Sequence, residues 1–459
     1  MKDNPSNITL STVKKGISRK TAVRSAILLA VILPLAVLSY LFFFKVSDNP
    51  GYLYRDSLSP EAMKTDAQFF IETLESNHPN MKEGQTAYNG IIDGIFEKIK
   101  KPMDSEGFYW TLNTLAVALR DGHTRLSTDQ ISRDHIDLPL LIWTSDGLIV
   151  KKSGAFLRKG DKIISIGGMA ADGLQKELEA LYPAEIPEWV RANINVVAQG
   201  IYLRRLNLVG RNNTIEIRYE RDDRVSVKKM QLHTSGASLY KRISEAFAYA
   251  DSVKMKWRID KEHDLGIIEI NKCKTDNQTA EEFREFFAAV RENDIGNIAV
   301  DLRRNSGGND GIASQFLSFV AVKSYMFIGN QLRYNNPGEF RELKPEDPPP
   351  FGGNIYLFTS NSTFSAATDF TVVLQANSIA KVIGQPTGNT ASFFGNPTYF
   401  SMPDCKLGFN CATTHYKAPV EDDNQDKAVI PDFKVEYTSR DIIENEDPWL
   451  DFLINLPRN

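Results

Sequence analysis

Little in the composition of this chain points to a chemistry. Only three of its 459 residues are cysteine and six are histidine. No group of these stands at a zinc-holding spacing, so no metal centre is expected. The formal net charge is −4, which leaves no cationic field for a nucleic-acid partner. Internal repeats and low-complexity tracts are also lacking, which sets aside solenoids and disordered chains. Charged residues at 24% and apolar residues at 42% describe an ordinary globular protein, long enough for two or three domains. Cys405 and Cys411 lie close together in MPDCKLGFNC. A hairpin tip around Gly408 would let them pair outside the cytoplasm, the alternative being two unrelated thiols. Cys273 ends an apolar stretch and reads as a packed thiol.

Long hydrophobic runs are scarce, with one exception. Residues 25–44 (SAILLAVILPLAVLSYLFFF) carry no charge, and as a helix they would span about 30 Å, enough to cross a bilayer. Lys14, Lys15, Arg19, Lys20 and Arg24 precede the run and only Lys45 follows closely. That asymmetry predicts a cytoplasmic tail over 1–24, a transmembrane anchor over 25–44, and everything after it on the outer side, periplasmic or extracellular. A cleaved signal peptide is the competing reading; against it, the run is long and no small-x-small pattern follows.

Beyond a polar linker over 45–58, the texture divides into three. Residues 59–128 read as a helical cap: Pro60 opens a helix, Ala67, Phe70, Ile71 and Leu74 recur at helical spacing, and His78-Pro79 breaks it. Residues 129–235 turn to short strands (GLIVK, KIISI, TIEIRY) with a mostly helical insert over 173–208 and a hairpin signal at RDDRV. Residues 236–459 contain the near-continuous apolar strands LGIIEI, IAVDL and IYLFT, separated by helical stretches. Strands alternating with helices predict a parallel sheet covered on both faces, an α/β fold.

Three short segments carry the chemistry. Ser365, in TSNSTFSAATD, falls at the start of the helix after IYLFT. A serine there is either a helix cap or a nucleophile beside free N–H groups such as that of Ala366. Gly307 and Gly308 follow a buried strand in DLRRNSGG; they serve either a tight turn or a backbone that aims an N–H at a ligand. His123, in Asp121-Gly122-His123-Thr124, is either a satisfied structural group or a general base.

Taken together these segments resemble the tail-specific (carboxy-terminal-processing) serine peptidases, a family that includes the tricorn protease core. The family's patterns DGHT, DLRxNxGG, TxSAxE and GxxTG are matched in order by residues 121–124, 301–308, 363–367 and 384–388, across a resemblance that covers about 60–457. The third match has Thr368 where the family has glutamate, with Asp369 beside it. KGDKIISIGG (159–168) is similar to the PDZ domain that many members carry, although no Gly-Leu-Gly-Phe carboxylate loop is present. The resemblance implies a ClpP/crotonase-like catalytic core, a PDZ-like domain, and hydrolysis of protein or peptide substrates without a cofactor. It assigns Ser365 as nucleophile, His123 as base, and the N–H groups of Gly307 or Gly308 and of Ala366 as oxyanion hole. Many members use a lysine about twenty-five residues after the serine; here that segment reads Gly388-Asn389-Thr390. The resemblance is therefore to the tricorn-like branch, in which a downstream acid completes the relay. Glu421 is the first choice among Glu421, Asp422 and Asp423. In the tricorn protease a serine precedes the histidine, and here that place is Gly122. The alternative within the same fold is a non-catalytic peptide or lipid carrier, similar to the interphotoreceptor retinoid-binding proteins.

Overall fold

The apolar runs at the centre of the chain become the strands of one sheet. In the computed structural model, which describes residues 53–132, 134–233, 255–327, 329–330, 340–342, 350–418 and 427–457, that sheet stands between two helical layers. The expected membrane span over 25–44 lies outside the described residues. Among the described residues no helix is long and apolar enough to cross a membrane.

Before the sheet come four helices: α1 (Pro60–Asn77), α2 (Pro79–Gly84), α3 (Asn89–Lys98) and α4 (Ser105–Ala118). Ser59 caps α1 by accepting the Ala62 N–H, with Pro60 at the first helical position. The helix stops at His78, which is extended because the ring of Pro79 disfavours a helical residue before it. Asp104 caps α4 through the Gly107 N–H. After α4 the chain reverses at Arg120, a non-glycine residue at φ 52°, and enters the Asp121–Thr124 turn and the short strand β1 (Arg125–Leu126).

An antiparallel sheet follows: β2 (Leu141–Thr144), β3 (Gly147–Val150), β4 (Lys162–Ile166), β5 (Thr214–Arg221) and β6 (Arg224–Gln231), in that spatial order, with Met169–Ala170 also paired to β4. Asp222 and Asp223 both adopt positive φ, the backbone of a tight two-residue hairpin whose twist suits the strands. Between β4 and β5 run the helices α5 (Ala171–Glu179), α6 (Pro187–Ala192) and α7 (Gly200–Arg205), where the sequence indicates a helical insert.

The central sheet has β7 (Met255–Asp260), β8 (Leu265–Ile270), β9 (Asn297–Asp301), β10 (Asn354–Thr359), β11 (Lys381–Gly384) and β14 (Phe433–Lys434), in the order β14-β11-β10-β9-β8-β7. Every pairing is parallel except β7 with β8. One face is filled by α8 (Asn277–Glu292), α9 (Ile312–Leu317) and α10 (Ala366–Ala376), whose Phe283, Phe286, Phe316 and Phe370 are buried with Ile268, Val300 and Leu357 of the strands. The other face packs Leu265, Ala299 and Phe358 against Trp449 and Leu453 of the carboxy-terminal helix Pro448–Asn455. This is why β9 is buried along its whole length: both faces are covered. The loops after β9, β10 and β11 all leave from the carboxyl edge of the sheet, the edge where parallel sheets present their ligand crevice.

A hairpin of β12 (Phe393–Ser401) and β13 (Gly408–Lys417) carries β1 on its outer edge. The disulfide entertained for Cys405 and Cys411 is absent: all three cysteines are free and buried. Cys405 lies in the hairpin turn, its N–H on Asp66 Oδ2. Cys411 lies within β13, its Sγ–H donating to the Ala412 carbonyl at 3.4 Å.

Candidate active site

Ser365 ends the loop between β10 and α10 and stands just before the first helical residue, Ala366. Its backbone is at φ 56°, ψ −127°, a region that costs a non-glycine residue about 1–3 kcal/mol and persists only where neighbours impose it. The neighbours are identifiable. Thr363 Oγ1 donates to the Leu302 carbonyl, Ser360 Oγ donates to the Arg303 carbonyl, and Phe364 N–H donates to the Asn305 carbonyl. Ser365 N–H itself donates to Asn389 Oδ1. The Ser365 side chain makes no capping hydrogen bond to its helix, so the cap reading fails. The hydroxyl stands at a helix amino terminus without a structural task there.

The loop 303–308 runs alongside. Arg303 anchors it, with paired contacts to Asp301 (2.6 and 2.9 Å) and Asp447 (2.7 and 2.8 Å), and with its guanidinium over the rings of Phe358 and Trp449. Gly307, at φ 100°, lies directly against the serine: a Cβ there would meet Ser365 Cβ at 2.6 Å and the Ala366 nitrogen at 3.0 Å. Gly308, at φ 142°, has the Cys273 carbonyl where a Cβ would be. The two glycines differ as donors. Gly307 N–H is spent on Asn305 Oδ1 at 2.8 Å. Among the described residues neither Gly308 N–H nor Ala366 N–H is given an acceptor, so these two remain available to a developing anion.

The turn that carries His123 approaches from the other side. The ring of Phe364, the residue before Ser365, lies 4.6 Å from the His123 imidazole and stacks on Trp189 at 3.7 Å. Gly122 leaves room for this: a Cβ there would come within 3.0 Å of Phe364 Cζ and Trp189 Cδ1, so a side chain at this position would displace them. His123 is 8% exposed and neither ring nitrogen has a hydrogen-bond partner among the described residues. Its Nδ1 stands 3.5 Å from Asp121 Oδ1, longer than a good hydrogen bond but within ion-pair range. Asp121 also accepts the His123 N–H at 2.8 Å and faces His78 Nε2 at 3.2 Å. Burial pushes the Asp121 carboxyl up, but the bonds and charges of His123 and His78 outweigh this and hold it well below the usual range. Asp121 is thus an ionised, buried carboxylate next to the imidazole.

A second carboxyl completes the cluster. Glu185 comes from the segment PAEIPEW in the insert and is buried. Its Oε2 accepts Gly122 N–H at 3.2 Å and its Oε1 accepts Asn389 Nδ2 at 2.9 Å. Burial first, and then the neighbouring Asp121 charge, raise the Glu185 pKa well above the ordinary carboxyl value. Asp121, His123 and Glu185 each offer one donor atom within 4.8 Å of the others, the only arrangement among the described residues suited to a metal. A cation there would displace the bonds from His78, Gly122 and Asn389. A cavity of about 260 Å³ adjoins Glu185 and Thr390, with Arg120, Phe393, Phe394 and His415 also in its wall; it has the scale of one side chain, not of a drug-sized ligand.

The structure therefore gathers Ser365, Ala366, Gly307, Gly308 and the His123 turn at one edge of the sheet. Glu421, Asp422 and Asp423 lie outside the described residues. The sequence offered no signal for Glu185, and pointed to Asn389 only as the segment where a lysine is lacking.

Comparison with known proteins bears on the fold that carries this site. Residues 264–435 match the model of Peptidase family S41. Mature CPAF, alone and complexed with lactacystin, superposes with a TM-score of 0.64 at 13% identity, covering 86% of this chain and 97% of that one. A CPAF mutant gives 0.59 at 12% identity, over 87% and 99%. At such identities these structures share the fold. A comparison with curated proteins returns no match. Over residues 264–435 the chain is thus similar to Peptidase family S41, and its fold is one that mature CPAF shares.

Proposed function

We propose that this protein is a serine endopeptidase of the tricorn-like branch, anchored in a membrane by residues 25–44 and acting on protein or peptide substrates outside the cytoplasm. The single observation that carries the hydrolytic reading is Ser365: a serine held at positive φ, its hydroxyl uncommitted to the helix it precedes. In the proposed reaction Ser365 Oγ attacks the scissile carbonyl and His123 takes the hydroxyl proton. The N–H groups of Gly308 and Ala366 receive the oxyanion. The intermediate collapses to an acyl-enzyme as His123 passes its proton to the leaving amine. Water, activated by the same imidazole, then releases the acid. Asp121 is the carboxylate placed to stabilise the imidazolium; Glu421 remains the proposed downstream acid. Anchorage and location rest on the apolar run and its basic flank.

The test is covalent labelling of the purified protein with a fluorophosphonate probe, mapped by mass spectrometry, together with casein hydrolysis. Label on Ser365, and loss of both label and hydrolysis in Ser365→Ala with the thermal midpoint retained, is the expected result. Casein cleavage by Ser365→Ala overturns the assignment, and a protein that takes no label but retains a lipid or peptide through purification is the non-catalytic carrier.

A further inference from the structure

We propose that Glu185 is a positioning residue of the catalytic centre: with Asn389 it forms a strut that fixes the nucleophile loop against the base-bearing turn. This inference rests on the serine-peptidase reading. Ser365 needs an external acceptor for its N–H if its unusual backbone is to persist, and that acceptor is Asn389 Oδ1. The amide of Asn389 is oriented by its other end, where Nδ2 donates to Glu185 Oε1 at 2.9 Å across 204 positions of sequence. The second oxygen of Glu185 accepts Gly122 N–H, one residue from His123. One carboxyl thus has a bond to the turn that carries the imidazole and, through one amide, a bond to the nucleophile's own backbone.

The same segment touches the site twice more. The carbonyl of Glu185 accepts from the Arg120 guanidinium at 3.1 Å, at the entry to the turn. Trp189, four residues on, stacks on Phe364. Residues 185–189 belong to the insert of the antiparallel domain, yet they close contacts on both halves of the centre. Withdrawing this segment leaves Gly122 N–H without its acceptor and the Asn389 amide, which holds Ser365 N–H, without its anchor, so the hydrolytic geometry depends on where the insert sits. Glu185 accepts at both oxygens, one from each half of the centre.

The donor and acceptor pattern supplies a test that a purely structural role does not pass. Glu185→Gln puts an NH₂ against either Asn389 Nδ2 or Gly122 N–H, a donor facing a donor. Asn389→Asp puts an acceptor against the Glu185 carboxyl. The pair Glu185→Gln with Asn389→Asp restores the match: the new amide accepts from Gly122 and donates to the new carboxylate, which still accepts Ser365 N–H. The full-length protein and its variants are compared by the second-order rate of fluorophosphonate labelling at Ser365 and by kcat and KM on a fluorogenic casein peptide. Each single variant is expected to lose about 10- to 100-fold in labelling and kcat, the scale of a misplaced reacting group, with KM little changed. The pair is expected to recover to within about 5-fold of wild type. Should Glu185→Gln fail to fold, Asn389→Ala, which cuts the strut from its other end, must show the same loss. Wild-type labelling rates in the single variants, or a pair as slow as the product of the singles, overturn the strut and leave the peptidase reading intact. An unlabelled wild type overturns both.

Discussion

Adding one methyl group at Gly307 tests the oxyanion geometry most directly. A Cβ built there lies 2.6 Å from Ser365 Cβ, 2.9 Å from the Phe364 carbonyl oxygen and 3.0 Å from the Ala366 nitrogen. Ordinary carbon contacts are about 3.5–4.0 Å, so the serine must retreat by roughly 1 Å from its place beside the Ala366 N–H. A displacement of that size at reacting groups costs about 100-fold, and loss of one oxyanion donor costs about 100- to 1,000-fold in kcat. Gly307→Ala is therefore expected to lower kcat by at least about 100-fold. The φ of 100° adds backbone strain of about 1–3 kcal/mol. Gly168 separates the two effects. It too has positive φ, 87°, but a Cβ there meets nothing within 4 Å, so Gly168→Ala carries strain without contact. Both variants are expected to lower the thermal midpoint, and only Gly307→Ala to lower kcat, measured on a fluorogenic peptide at saturating substrate. A Gly307→Ala enzyme within about 3-fold of wild type, or an equal kcat loss in Gly168→Ala, refutes the assigned geometry.

Ser365→Gly relieves the strain at φ 56° that Ser365→Ala retains, so thermal denaturation should place the glycine variant above the alanine variant by about 0.5–2 kcal/mol; equal midpoints count against imposed strain. The pH dependence of stability separates the two buried carboxyls. Asp121, held below its usual value, contributes stability that is present above about pH 4 and is lost as pH falls through the folded pKa. Glu185, raised above its usual value, contributes stability that is full below about pH 4 and is lost as pH rises through its folded pKa, so Glu185→Gln should flatten the alkaline loss in urea titrations run across pH. The thiols of Cys273, Cys405 and Cys411 are buried and each is pushed up to about 12. A thiol-disulfide reagent should therefore label none in the native protein and all three in denaturant, and a pair that labels in denaturant only after reduction would contradict the three free thiols.

What the sequence made legible follows a physical division. IAVDL and IYLFT announce their strands because a sheet covered on both faces requires unbroken apolar runs, and Pro60 announces a helix start because proline suits the first helical position. Ser365 and Gly307-Gly308 were visible for a similar reason: each sits where a strand ends and a helix or loop begins. The choice between the glycines was not legible, since it turns on a side-chain bond from Asn305 that takes up one N–H and leaves the other. His78 read only as a helix break before Pro79, although its ring reaches Asp121 across 43 positions. Glu185 was hidden most completely. Its neighbours Ile186 and Trp189 are apolar, so the local pattern describes packing. The fact that a carboxyl rather than a methyl group is buried there makes sense only beside Asn389, 204 positions away. A buried acid surrounded by donors costs little where its bonds are complete and much where they are not. Such a group is tolerated only by a fold that brings both of its partners to it, and the cost of misplacing it falls on the backbone of Ser365. That coupling ties the insert to the chemistry more tightly than the separate motifs suggest, and it is why exchanging the amide and the carboxyl, rather than deleting either, is the decisive perturbation.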